Sequence, residues 1–224
     1  MPQVGMPFLA DVRSTIILAF KALPLLLISF IGFLAVGLGN LSLFVLFLGH
    51  AIVVPIATEA CHTIPSNGTL TTPNDISQLV PLIPTTGASY TSPTNNMPSY
   101  WMAHISFFFG YILMNAISIY NMPVDKLSAE WQVTSRKTRA VTIITTTVIL
   151  WILFAYMRYS LTGVENAAGI MLAILLLGGA GVGWYYLASA LGARNSDIFG
   201  IAQSMVSQET GNAKPVTCVY SPKP

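Results

Sequence analysis

Five apolar runs, each close to the length of a bilayer crossing, constrain this chain more than any other feature; they cover residues 15–36, 41–57, 101–120, 140–159 and 167–191. A helix rising 1.5 Å per residue needs about 20 apolar residues to cross a hydrocarbon core of about 30 Å. Only a helix satisfies every backbone group within one such segment. The expected fold is therefore all-α, a multi-pass transmembrane helical bundle. The charge content agrees, with 54% hydrophobic and 8% charged residues against about 25% charged in soluble domains. So few charges cannot cover a globular surface, and much of it must face lipid.

The runs divide the chain into an N-terminal segment and helical hairpin (1–57), a long loop (58–100), three further spans (101–191) and a polar C-terminal tail (192–224). Lys21 lies near the start of the first run, where it can snorkel to the interface, and Pro24 is expected to kink that helix. Gly37-Leu38-Gly39-Asn40 reads as a tight turn. The second run, holding His50 and Pro55, is short for a span. Five spans is the reading adopted; if this run only dips into the membrane, four remain. The 58–100 loop is rich in Pro, Ser, Thr and Asn and has no Lys or Arg. A loop of this length is either functional or disordered. Trp101 and Tyr120 bracket the third run in the manner of an interfacial belt.

Cytosolic loops collect Lys and Arg. The 121–139 connector and the tail hold Lys126, Arg136, Lys137, Arg139, Arg194, Lys214 and Lys223, whereas the 58–100 loop has none. That asymmetry puts the tail on the cytosolic side and the long loop across the membrane. Asn67-Gly68-Thr69 is then a candidate glycosylation site on the far side; Asn40-Leu41-Ser42 fits the same tripeptide but sits in the hairpin turn. Cys61 and Cys218 fall on opposite sides and are not expected to pair. The chain lacks a basic start before its first apolar run, and that run continues far beyond signal length, so it does not read as a cleavable signal.

No catalytic or cofactor-binding constellation emerges. Of the three histidines, His50 lies mid-span and His104 about one turn from the outer end of its helix. At 1.5 Å per residue the two differ in depth by roughly 10 Å, so they are not expected to meet around a haem or metal. Cys61, His62 and His104 near one interface are a weak metal signal. Glu59, Glu130 and Glu165 fall at membrane edges or in loops, and no acid lies inside a span, which counts against proton-coupled exchange. The expectation is no enzyme, no cofactor and no nucleic acid, since a net charge of +2 carries no basic stripe. Gly178, Gly179, Gly181 and Gly183 are expected to let helix backbones approach closely, within the chain or between copies as a homo-oligomer. Thr142, Thr145, Thr146 and Thr147 are expected to bond to their own backbone or to a neighbouring helix, and Asn115 to a neighbouring helix. Arg158, flanked by Tyr156 and Tyr159, reads as an interfacial anchor.

The tail is the most individual part of the chain. Ile198, Phe199, Ile201, Met205 and Val206 alternate with polar residues, consistent with a short helix on the membrane surface. The end after Pro215 can add as a strand to a partner's sheet. Asp197, Ile198, Phe199, Val216 and Tyr220 are the candidate partner contacts. The stretch from Arg194 to Ile201, R-N-S-D-I-F-G-I, leading to P-V-T-C-V-Y at 215–220, resembles the tails of small multi-pass proteins of large icosahedral double-stranded DNA viruses. That resemblance, confined to about the last thirty residues and the general layout, implies a structural protein of the viral inner membrane beneath the capsid, with the lipid bilayer and capsid-type proteins as partners. The rival expectations are a channel or transporter-like protein, for which His50, Asn115 and the threonine cluster are the available polar groups, and an accessory subunit of a membrane complex.

Overall fold

The computed structural model describes residues 7–62, 97–123, 130–160 and 165–191. Their regular structure is all helical: α1 Pro7–Leu38, α2 Leu41–Leu48, α3 Val54–His62, α4 Tyr100–Tyr120, α5 Glu130–Ser160, α6 Ala167–Leu172 and α7 Gly178–Ala190. Two π-helical turns, Gly49–Val53 and Ala173–Leu177, join α2 to α3 and α6 to α7. The result is five rods, each containing a segment long and apolar enough to cross a membrane. The sequon at Asn67, the tail contacts Asp197, Ile198, Phe199, Val216 and Tyr220, and most of the 58–100 loop lie outside the described residues.

Local chemistry starts each rod where it does. Gly39 takes a left-handed φ of +59° in the expected hairpin turn, which glycine adopts without steric cost. The Asn40 Oδ1 then accepts from the amides of Ser42 and Leu43, so this asparagine is a helix cap. Ser99 caps α4 through the Met102 amide, and Asn166 caps α6 through that of Gly169. The helices also run further than hydropathy suggests. The second rod continues to His62, and α5 begins at Glu130 inside the basic connector.

Two apolar clusters flank α4. On one side Ala103, Phe107 and Tyr111 meet Ile31, Leu46, Val54, Leu177 and Ala188; on the other, Trp101, Ile105 and Phe109 meet Phe20, Phe154 and Ala173. This helix, the third rod in chain order, thus has the first, second and last rods on one face and the first, fourth and last on the other. Trp101 is fully buried, which corrects its assignment to an interfacial belt. Its indole N–H donates to the Phe20 carbonyl at 2.9 Å. That carbonyl is the one Pro24, lacking an N–H, cannot bond four residues on. Trp101→Phe keeps the ring but strands a buried acceptor, and should cost about 1–3 kcal/mol in a thermal unfolding measurement.

The closest approach joins α4 to α7. A Cβ on Gly110 would lie 2.1 Å from the Gly178 carbonyl oxygen, and one on Gly181 2.2 Å from that of Phe107. Gly178 itself packs against the Trp151 ring, while Gly179 and Gly183 have open space around them. Within the chain, then, the close contact is made by Gly178 and Gly181 with Gly110; Gly179 and Gly183 face outward. Large apolar side chains also cover the outer faces of α1 and α5, with Phe33 and Val36 74% and 80% exposed and Ile152 65%.

Candidate functional site

The polar residues of the second rod and of α4 face each other across the interior. On α4, Tyr100, His104, Tyr111 and Asn115 are separated by four, seven and four residues, a spacing that keeps them on one face, and all four are buried. Opposite them, Ser42, His50 and Thr58 are buried at eight-residue intervals. In a uniform α-helix such a repeat drifts around the rod. The π turn 49–53 adds a residue to one turn and slows the drift, and its hydrogen bond runs from the Val54 amide back five residues to Gly49. The sequence reason lies in Pro55, whose ring would crowd the Ala51 carbonyl in a regular turn.

His50, inside that π turn, meets His104 with their Nδ1 atoms 3.2 Å apart and the rings stacked at 29°. Neither residue has any exposed surface. This overturns the expected depth offset. His50 lies about 18 Å below the end of α3 and His104 about 6 Å below the start of α4 at 1.5 Å per residue, so the rods can only match if α4 starts recessed. It does: Ser99 through His104 are all buried, and the Tyr100 hydroxyl reaches along the rod to donate to the Glu59 carboxylate. Phe107 stands edge-on to His50 at 5.0 Å between ring centroids. One helical step further, the Tyr111 hydroxyl lies beside Ser42 and the Tyr111 ring packs on Tyr185.

Several of these buried polar atoms have no hydrogen-bond partner among the described residues: both histidine Nε2 atoms, Thr58 Oγ1 and Asn115 Oδ1. Asn115 thus lacks the expected bond to a neighbouring helix through that oxygen. The threonines divide, with Thr142, Thr145 and Thr146 exposed and Thr147 buried; Thr142 bonds back to the Thr138 carbonyl. No group of three or more His, Cys, Asp or Glu able to hold a metal occurs among the described residues.

A second polar cluster holds the recessed start of α4. The Glu165 carboxylate accepts from the Ser99 amide and hydroxyl, each at 2.8 Å, and from Arg158 Nε at 3.4 Å. Arg158 also lies over the Trp101 ring, 5.1 Å from its centroid. Arg158 and Glu165 are buried, which corrects the reading of Arg158 as an exposed interfacial anchor. Burial pushes the Glu165 carboxyl above the ordinary carboxylate range, against the opposing pull of Ser99 and Arg158. At the other end of the bundle, Arg136 donates to the Met122 carbonyl at 2.7 Å and Lys137 sits over the Tyr120 ring. Part of the basic cluster therefore ties down the end of α4.

No family model, curated protein or solved structure matches this chain. The site must be read from its own chemistry. Charge pairing and capping account for the Ser99–Arg158–Glu165 cluster as architecture. The facing histidines are different, because their Nε2 atoms have no hydrogen-bond partner among the described residues. His50 was legible as a buried polar residue; its partner was not, because the recess of α4 depends on Glu165, more than sixty residues away in the chain.

Proposed function

We propose that the chain is an integral membrane protein crossing a bilayer five times, with a structural rather than catalytic role. The observation that carries this reading is the distribution of apolar surface: α4 is enclosed, while α1 and α5 turn long rows of large apolar side chains outward. A contiguous apolar surface of that extent is unfavourable in water and ordinary in lipid. The basic residues of the connector and tail support a cytosolic tail. The backbone-to-backbone contact of α4 with α7 supports a closed bundle suited to anchoring. Partner contacts fall to the 58–100 loop and the 192–224 tail. Placement in the membrane beneath a viral capsid rests on the resemblance of the tail.

The test combines extraction with co-purification. The chain should stay with membranes through an alkaline carbonate wash, and proteins retained with the intact chain in mild detergent should be lost when the tail after Leu191 is removed. Release by carbonate counts against the membrane reading, and an unchanged set of bound proteins against the scaffold.

A second reading, a channel or transporter-like protein, is favoured by one observation: the ionisable and hydroxyl side chains of the second rod and α4 point inward rather than to lipid. An ionisable residue inside a span is a default marker of function.

A further inference from the structure

We propose that His50 and His104 form a proton relay in the middle of the bundle, a reading that rests on the membrane placement above and gives the second functional reading its substrate, the proton. Among the described residues, this is the one pair of facing imidazoles in the interior.

A neutral imidazole carries one N–H and one lone pair. With the two Nδ1 atoms 3.2 Å apart, one ring donates its Nδ1–H and the other accepts with a bare Nδ1. The rings are therefore in opposite tautomers. The donor ring is left with a bare Nε2 and the acceptor ring with an Nε2–H, and neither Nε2 has a partner among the described residues. As a purely structural device the pair is a poor one, since it forms one hydrogen bond and strands a buried acceptor and a buried donor. As a relay it is complete, because those two atoms are an entry and an exit.

The protons balance through three steps. A proton binds the bare Nε2 of the donor ring, making it an imidazolium. Its Nδ1 proton crosses the short contact to the Nδ1 of the second ring, so the charge moves and the first ring becomes neutral with its proton on Nε2. The second ring then releases its original Nε2 proton on the far side. One proton has crossed, and each ring has exchanged its tautomer. A proton moving back restores the starting state directly; a second one in the same direction requires the rings to reset first.

The surroundings fit this use. His104 neighbours Tyr100, whose hydroxyl is bonded to Glu59, and Glu59 is the charged group in contact with this face. The Arg158–Glu165 pair is engaged with Ser99 and Trp101 instead. The Phe107 ring stands edge-on to His50, and further along α4 the Tyr111 hydroxyl lies beside Ser42. The π turn that carries His50 supplies a rod segment of weakened regularity, the kind of element found at functional sites.

The experiment uses the full chain in phosphatidylcholine vesicles with a trapped pH dye and a potassium ionophore to cancel membrane potential. An imposed pH gradient should decay roughly tenfold or more faster with the native chain than with His50→Leu or His104→Leu. Solid-state NMR of the native chain labelled with 15N-histidine in the same vesicles should show, among its three histidines, one Nδ1–H ring and one Nε2–H ring coupled across a shared hydrogen bond, with His62 giving a separate uncoupled signal. That second measurement needs no substitution, so it decides the question even where a leucine variant misfolds. Identical tautomers, or no coupling, would overturn the proposal. So would a carbonate-resistant chain with flux no greater than empty vesicles, which leaves the membrane reading intact. Release of the chain by carbonate would remove the membrane reading and the relay together.

Discussion

Glu165→Ala should lower the stability of the bundle by about 3–5 kcal/mol, the cost of removing one partner of a buried ion pair. The substitution takes a partner from three groups at once: the Arg158 guanidinium, the Ser99 amide and the Ser99 hydroxyl. Arg158 cannot turn to solvent without leaving the Trp101 ring. Unfolding in detergent, followed by loss of helical circular dichroism, measures the effect. Replacing Arg158 and Glu165 together by leucine should recover much of the loss, because the double change leaves no uncompensated charge. A double variant as unstable as Glu165→Ala would mean that the Ser99 bonds, not the ion pair, carry the energy. The pH dependence has a defined sign. A carboxyl raised in the folded state keeps its proton to higher pH than in the unfolded chain. Its contribution is thus most favourable below the ordinary carboxylate range and declines as pH rises through the folded value. Glu165→Gln should flatten that part of the stability profile.

Gly110→Ala and Gly181→Ala should each destabilise by about 1–3 kcal/mol or more, the range for inserting a methyl group into a packed interior. Their new Cβ atoms would lie 2.1 Å and 2.2 Å from backbone carbonyl oxygens, and a backbone cannot move aside by changing a rotamer. The α4–α7 contact must open along its length. Gly179→Ala and Gly183→Ala are the controls, since nothing lies within 4 Å of either added atom, and these should be neutral or slightly stabilising through helix propensity. Thermal unfolding of the four variants separates the inner pair from the outer pair. Equal effects at all four positions would contradict the packing described here.

How much of this was legible in the chain itself depended on the range of the interaction. The hairpin turn at Gly39 and Asn40 could be read directly, because left-handed backbone and capping are local preferences. The glycine cluster was legible as a packing surface, but not which two of its four members face α4, since that depends on the rotation of the rod after the π turn 173–177. Arg158 and Trp101 were misread for one reason. Each has an amphipathic side chain that suits an interface, and each is claimed by a buried partner, Arg158 by Glu165 across the short link to α6 and Trp101 by the Phe20 carbonyl. The charge asymmetry that suggests a cytosolic tail was equally plain, whereas the side chains that tail would use fall outside the described residues.

Long apolar helices, five in number and with few charges among them, follow from the amino-acid sequence alone. These follow from composition and periodicity, which act on each segment alone. That His50 and His104 share a level emerges from the packing of the rods. That outcome required Pro55 to widen a turn, Glu165 to hold Ser99 inward, and α4 to start well below its neighbour. The Glu165–Ser99 contact joins residues far apart in the chain and the Pro55 turn is a matter of backbone geometry; hydropathy, which scores residues one window at a time, has no term for either.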